Sequence, residues 1–280
     1  VDCGGHTAKN RLSLFSHKPA PVQISYLCMH GTTTGLSAMD YAISNRGVIP
    51  AGFENQLTEK VLLIPNTDIV FQPKPDWPMP ARSVNTKLLG CVGDPLRIDA
   101  ETIALWQKLL DDNPGSKIIF KHKKYNSESG RKHWQNIFGK LAGRAEFEDV
   151  IGGWGQHNDF YDKVDLVLDT LPLTGTLTVL IPMWMGVPVV TMRGPFFGHR
   201  YGSAVVENAG FPELVADSDA EYLAIVTELL NDRQRLELLS NSLRDSVAAS
   251  AVCNSRILAA NLEMAYRKVW QSWCKKQTYG

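Results

Sequence analysis

The sequence carries no surplus of either charge. Its 280 residues hold 29 lysines and arginines against 29 aspartates and glutamates, so no net field gathers nucleic acid nonspecifically. Cysteine is scarce: Cys3, Cys28, Cys91, Cys253 and Cys274 are odd in number and form no CxxC pair, which argues against a disulfide framework. No signal peptide is visible either, so the expected location is a reducing cytoplasm. The separate histidines His17, His122, His133 and His199 lack metal-ligand spacing, and no metal is assigned. No GxGxxG follows a strand with an acidic partner downstream, which excludes a Rossmann dehydrogenase. No internal repeat is evident. An apolar content of 44% with 21% charge is ordinary for a globular chain of one large domain or two ordinary ones. The first residue is Val1 rather than Met, and Val1-Asp2 reads like the end of a strand, so a fragment of a longer protein is expected.

Long hydrophobic runs are also absent, with one apparent exception. From Asp165 to Met192 the chain reads DLVLDTLPLTGTLTVLIPMWMGVPVVTM, with no charge after Asp169. Pro172, Gly175, Pro182, Gly186 and Pro188 break it into pieces too short for a membrane span. The parse is a buried strand (Asp165 to Leu168), a loop (Asp169 to Gly175), a helix opening near Thr176, and a second buried strand, Val187 to Thr191. Such a βαβ unit favours an anionic, often phosphate-bearing, ligand at its strand ends and helix N-terminus.

The same alternation runs through the chain. Strands are expected at Val22 to Leu27, Val61 to Ile64, Lys87 to Val92, Lys117 to Lys121 and Phe147 to Ile151. GTTTG at Gly31 to Gly35 precedes a further segment, Met39 to Ser44. Gln72 to Arg82, with four prolines, reads as a linker and domain boundary. Asp99 caps a helix through Asp111 with Ile103, Trp106 and Leu110 on one face, and Asn113-Pro114-Gly115 stops it. A helix spans Gly130 to Leu141, and three more (Glu221 to Asn231, Asp232 to Ala249, Asn254 to Trp273) close the chain. KHKK at Lys121 to Lys124 reads as a solvated face or a local phosphate contact. The class is α/β, a doubly wound parallel sheet with ligands at the carboxyl ends of its strands.

In order along the chain lie GGHTAKNRLSLFSHKPAPVQISYL (Gly4 to Leu27), HGTTTGLSAMDY (His30 to Tyr41), GCVGDPLRID (Gly90 to Asp99), the run from His157 to Met192, FPELVADSDAEYLAIV (Phe211 to Val226) and LEMAYRKVWQSWC (Leu262 to Cys274). With these blocks the chain resembles the catalytic region of the O-linked N-acetylglucosamine transferase (SPINDLY-like) family. The resemblance implies a GT-B fold: two Rossmann-like lobes with a nucleotide-sugar in the cleft. The implied division is 1–82 for the acceptor lobe, truncated at its N-terminus, plus linker; 83–253 for the nucleotide-sugar lobe; and 254–280 for a C-terminal helix. Tetratricopeptide repeats would lie upstream.

The resemblance also assigns residues. Arg97 stands where the family has a lysine that neutralises the departing diphosphate; arginine keeps the charge but differs in reach. Asp94 stands where the family has an amide, and an acid beside a diphosphate would repel it. His157 falls at the family's base-contacting histidine, with Trp154 in place of a nearby basic residue. Gly175, Thr176, Leu177 and Thr178 open the helix that binds the diphosphate through backbone N–H groups and hydroxyls, although Thr176 can equally be a plain helix cap. His6 faces the acceptor or sugar as a second catalytic candidate, or is simply a packed or solvent-facing histidine. His30, Gly31 and Thr32 form a turn toward the sugar, with His30 replacing the usual proline. Leu177 replaces a family threonine. Ile181 replaces an acid that binds the ribose hydroxyls, a loss of charge-assisted hydrogen bonds of roughly 1.5–3 kcal/mol each.

The implied activity is a metal-independent, inverting transferase that needs no cofactor beyond its nucleotide-sugar, UDP-GlcNAc first and GDP-fucose as an alternative. The partner is a protein or peptide bearing Ser or Thr, with no nucleic acid and no membrane span. Ile181, Leu177, Trp154 and Asp94 keep open a different outcome, a degenerate transferase fold that serves as a protein-binding scaffold.

Overall fold

The computed structural model describes residues 1–27, 32–73, 77–78, 87–150 and 158–278. Short buried apolar runs become strands, and they assemble into two all-parallel sheets. The first contains β1 (Ile24–Ser25), β2 (Tyr41–Ser44) and β3 (Lys60–Leu63) in the order β1-β2-β3. Asp2 bridges in parallel to Ser25 on the outer side of β1. The second contains β4 (Leu88–Cys91), β5 (Lys117–Lys121), β6 (Ala145–Glu148), β7 (Leu166–Leu168), β8 (Val189–Met192) and β9 (Val215–Ala216). Its order is β6-β5-β4-β7-β8-β9, the doubly wound arrangement in which strand order reverses between the first and fourth strands. That reversal lies between β4 and β7, and it fixes where a ligand crevice opens.

The helices are α1 (Leu12–Ser16), α2 (Ala100–Asp112), α3 (Glu128–Phe138), α4 (Asn158–Lys163), α5 (Leu177–Trp184), α6 (Tyr201–Asn208), α7 (Asp219–Asn231), α8 (Arg233–Ala249) and α9 (Ser255–Thr278). Asp99 caps α2 by accepting from the Thr102 amide at 2.8 Å, as its position predicts. Ile103, expected on the buried face of α2, is only partly covered, and Leu105 and Leu109 are buried beside Trp106 and Leu110. α3 begins earlier than expected because the Ser127 hydroxyl accepts from Gly130, and the α-helix ends before Gly139, whose φ is 56°, with a 3-10 segment, Gly139–Arg144, following it. The strand expected at Val22 to Leu27 shortens to β1, and the Phe147 strand shifts to β6. α1, α4, α6 and β9 had no clear periodic signal, being short or, in α6, buried on nearly every side.

The second sheet has an aromatic core on one face. Phe120 is fully buried, with ring centroids 4.7 Å from Phe138, 5.8 Å from Phe147 and 6.0 Å from Trp106. Trp106 Nε1 donates to the Tyr222 hydroxyl at 3.2 Å, which satisfies the one polar atom of the indole. On the first sheet, Ile24, Tyr26, Ile43, Leu62 and Ile64 pack against Leu258, Ala265 and Val269 of α9. The last helix thus returns to cover the first lobe. Of the linker prolines, Pro75 and Pro80 lie outside the described residues, and the carbonyls of Trp77 and Pro78 accept from Arg244 at 3.2 Å.

The lobes meet through the start of α6 and the segment before it. Phe197, Tyr201 and Ala204 pack on Ala42, Val48 and Ile49. A Cβ on Gly47 would fall 2.9 Å from the Ala204 Cβ, so only glycine admits this approach. Gln56 donates to the Pro195 carbonyl at 3.2 Å and accepts from the Phe197 amide at 3.0 Å. Among the described residues no helix is long and apolar enough to cross a membrane.

The aromatic core makes a direct prediction. Phe120→Ala should destabilise by about 3–5 kcal/mol through lost burial and a residual cavity. Ile137→Ala, on the exposed face of α3, should cost at most about 0.5 kcal/mol. Urea unfolding of the two variants beside the parent chain measures both.

Candidate nucleotide-sugar site

Two loops leave the carboxyl ends of β4 and β7 at the point where strand order reverses. The β4 loop, Val92 to Ile98, turns through a short helical turn at Pro95–Arg97. The β7 loop, Asp169 to Thr176, leads into α5. A buried carboxylate organises the second loop. Asp169 is only 3% exposed, accepts from the Gly175 amide at 2.9 Å, and accepts from the Thr191 hydroxyl of β8 at 2.9 Å. A Cβ on Gly202 of α6 would fall 2.2 Å from its Oδ2. The Thr174 hydroxyl accepts from the Gly202 amide at 3.0 Å. β7, β8, α5 and α6 are thereby tied at one point.

This changes the expected role of Gly175. Its N–H does not face a ligand; it points inward to Asp169. Glycine is required for space, because a Cβ there would lie 1.9 Å from Thr178 Oγ1. Thr176 is the N-cap residue of α5 by position, yet its side chain makes no capping hydrogen bond. Its carbonyl accepts from Val179 and Leu180 at 3.0 and 2.9 Å. Leu177 is 46% exposed. The Thr178 hydroxyl is buried and has no hydrogen-bond partner among the described residues. The N-terminal end of α5 therefore presents its positive dipole end toward the crevice, with the Thr178 hydroxyl buried behind it against Gly175.

Arg97 stands across from it. Its Nη1 donates to the Thr174 carbonyl over a long 3.4 Å, leaving most of the guanidinium fork for another acceptor. Asp94 caps its short turn by accepting from Leu96 at 3.0 Å and pairs with Lys124 Nζ at 2.6 Å. Burial is the largest influence and works against the Asp94 charge, but the bonds from Lys124 and the Leu96 amide, with the nearby His122, together hold the carboxyl below its usual range. The repulsion expected of an acid beside a diphosphate is thus largely cancelled by the lysine.

The KHKK run lands at this site as well. A cavity of 190 Å³ beside the start of α5 is lined by Val92, Lys121, His122, Val150, Leu177 and Ile181 among others. Lys121 is 5% exposed and bound to Glu148 at 2.9 Å. Burial lowers the His122 pKa below its ordinary value, and its Nδ1 accepts from the Lys124 amide at 3.3 Å. The neutral ring therefore carries its proton on Nε2. Pro182, expected early in the helix, is its sixth residue. It removes one interior hydrogen bond, and α5 still closes through Met185 donating to Ile181 at 2.9 Å.

On the first lobe, His6 Nε2 lies 3.0 Å from the Thr33 carbonyl. A carbonyl only accepts, so Nε2 carries a proton in this contact, and in the neutral tautomer it selects Nδ1 is the free acceptor. Thr32 is exposed beside Thr33. The Thr33 and Thr34 hydroxyls donate to Glu59, and the Thr34 amide does so at 2.8 Å. Burial opposes the Glu59 charge, yet these bonds prevail and keep its pKa below the ordinary value. His30, Gly31, Trp154 and His157 lie outside the described residues. Asp169, Lys124 and Glu59 were not singled out from the sequence. Asp169 had one legible signal, as the last charge before an uncharged run.

Comparison with known proteins gives this geometry a family. The model described as glycosyl transferase family 41 matches residues 1–75 and 90–262. The chain belongs to that family. It is 32% identical over 98% of its length to a probable UDP-N-acetylglucosamine–peptide N-acetylglucosaminyltransferase SPINDLY of Arabidopsis thaliana, covering 31% of that protein. It is 24% identical to the probable transferase SEC of the same plant, over 99% of this chain and 30% of the relative. The chain thus spans about a third of the length of the curated relatives it matches. A mutant O-GlcNAc transferase of Thermobaculum terrenum superposes with a TM-score of 0.90 at 30% identity, over 99% of this chain and 53% of that one. TarM of S. aureus, at 12% identity and a TM-score of 0.55 over 81% of this chain and 44% of its own, shares the fold alone. The family 41 fold is GT-B, with the β4–β9 sheet as its second Rossmann-like lobe.

Burial raises the Asp169 pKa from 3.8 to about 6, against the opposing bonds from Thr191 and Gly175. A carboxyl whose folded pKa exceeds its unfolded one stabilises the fold fully below about pH 4, and that contribution is lost as pH rises through about 6. Between pH 4.5 and 7.5 the parent chain should lose about 2 kcal/mol relative to Asp169→Asn. Asp68, also raised to about 6 by burial, contributes equally to both proteins and cancels in the difference. Urea unfolding of the pair across that range reads it.

Proposed function

We propose that the chain is the nucleotide-sugar and acceptor cleft of an inverting protein O-glycosyltransferase. Its preferred donor is UDP-GlcNAc and its acceptor a Ser or Thr hydroxyl. The observation that carries this reading is the pairing of Arg97 with the free end of α5 at the strand-order reversal, in a chain of family 41. The names of its relatives supply donor and acceptor class. In this reading the acceptor oxygen attacks the anomeric carbon as the bond from that carbon to the diphosphate oxygen breaks. The electron pair leaves on UDP, where Arg97 and the α5 amides meet the growing negative charge. The acceptor proton passes to His6 Nδ1 or to water. No metal or further cofactor is assigned, since the cationic side chains can carry the charge. A cytoplasmic setting and upstream tetratricopeptide repeats complete the proposal.

Binding tests the donor. A nucleoside diphosphate at a hundredfold its dissociation constant should stabilise the fold by about 2.7 kcal/mol. Thermal unfolding with UDP, GDP and dTDP ranks the bases. A chain that binds protein partners but ignores every nucleotide would instead be a scaffold.

Turnover tests Arg97. In the full-length protein, UDP release from UDP-GlcNAc with a protein acceptor should fall roughly a hundredfold or more in Arg97→Ala, the scale of one preorganised charge stabiliser. Donor affinity should fall by less, because the α5 end still holds the phosphates. Arg97→Lys should recover much of the rate. Full turnover in a folded Arg97→Ala protein would remove Arg97 from the mechanism.

A further inference from the structure

A separate cavity, of 260 Å³, lies in the first lobe at the amino ends of β2 and β3, against the last turns of α9. Much of its lining is carbon. Met39 and Val269 are buried, and the half-buried rings of Tyr41 and Trp273 complete the wall. Trp273 is braced by Trp270, with ring centroids 5.0 Å apart and planes inclined by 19°. Two exposed lysines also line the cavity, Lys60 at the start of β3 and Lys276 in the last turn of α9. Among the described residues neither makes an ion pair. The lining holds one carboxylate, Asp40, and it is already committed: it pairs with Lys18 and accepts from the Gln23 amide at 2.7 Å. An aromatic wall is thus joined to two cations that no acid neutralises.

The position of the cavity narrows what it can hold. Thr58, also in its lining, lies 2.6 Å from the Thr33 hydroxyl, and the Thr33 carbonyl accepts from His6 at 3.0 Å. The cavity is therefore continuous with the His6 and Thr32 surface assigned above to the acceptor. Its volume is below the roughly 300–1,000 Å³ of a site that encloses a whole small molecule. It suits one bulky side chain of a polypeptide that continues past it. Such a side chain would bury carbon against Met39, Val269 and Trp273, while carboxylates next to it in sequence would meet Lys60 and Lys276. A basic segment would meet the same lysines with like charge.

We propose that this cavity is an exosite for the protein acceptor. It takes an unfolded segment in which an aromatic or large aliphatic residue is flanked by Asp or Glu, close in sequence to the Ser or Thr that receives the sugar. This rests on the glycosyltransferase reading above and names a substrate class for it. Contacts made away from the reacting atoms are equal in ground and transition states, so the exosite acts on KM and leaves kcat nearly unchanged.

Initial rates of the full-length protein at saturating UDP-GlcNAc test it. The probes are three synthetic peptides with a single Ser flanked on both sides by Phe-Asp-Glu, Phe-Asn-Gln or Gly-Asp-Glu. At low salt the KM of the Phe-Asp-Glu peptide should lie about fivefold or more below that of the Phe-Asn-Gln peptide, the scale of two exposed ion pairs. The gap should close as ionic strength rises. The Gly-Asp-Glu peptide, without its anchor, should bind about tenfold more weakly than Phe-Asp-Glu. In the double variant Lys60→Gln, Lys276→Gln the acidic preference should fall to within about twofold. Equal KM values for the acidic and neutral peptides, an acidic preference that survives in the folded double variant, or Gly-Asp-Glu binding as tightly as Phe-Asp-Glu overturns the exosite and leaves the transferase reading intact. No turnover of any of the three by a protein that binds UDP also overturns the exosite. Failure to bind UDP, GDP and dTDP as well overturns the reading on which it rests.

Discussion

The buried carboxylate of Asp169 is the point on which the second lobe turns. A charge removed from water is tolerated only when hydrogen bonds replace its hydration, and here they come from elements far apart in sequence, the Gly175 amide and the Thr191 hydroxyl. Two glycines give it room, since side chains at Gly175 or Gly202 would collide with the group it organises. One consequence is geometric: with Gly175 turned inward, the helix begins at Leu177 and its end is directed at the crevice. The other is electrostatic: Arg97 lies near enough to favour the Asp169 charge. The residue that shapes the proposed anion-binding end is therefore an anion itself, held by its own hydrogen bonds.

The first lobe repeats that logic with Glu59. It is 3% exposed and bound by the hydroxyls of Thr33 and Thr34, so the loop carrying Thr32 is fixed from beneath. His6 joins through the Thr33 carbonyl. In both lobes, then, a loop at a proposed ligand surface is held by a hidden carboxylate.

The cations are graded rather than uniform. Lys121 and Lys124 are each paired with an acid, which confines them to structural and local electrostatic work, whereas among the described residues Arg97 makes only a long bond to a carbonyl. Such a gradient concentrates unspent positive charge at Arg97 and the α5 end. It matches the place where a leaving diphosphate would develop charge. The tight lobe contact at Gly47 and Ala204, with Phe197 packed in the same cluster as Ala42 of β2, sets the spacing of that crevice from the first lobe.

Much of this was legible in the residues alone. The alternation of short apolar runs with amphipathic stretches specified a parallel α/β chain, and Asp99 and the Asn113-Pro114-Gly115 stop marked α2 to within a residue or two, because caps and turn residues act locally. The run from Asp165 to Met192 pointed to β7, α5 and β8 for the same reason. What the sequence could not carry was pairing. KHKK read as a surface run, yet β5 places Lys121 opposite Glu148 of β6 and brings Lys124 to Asp94. Asp94 read as repulsive because its partner lies 30 positions away. Gly175 read as a ligand amide because nothing local shows that Asp169 reaches it. Backbone conformation and capping depend on neighbours in the chain, so sequence determined them; the ownership of each charge and each N–H depends on which strands lie side by side, and only the tertiary structure decided that.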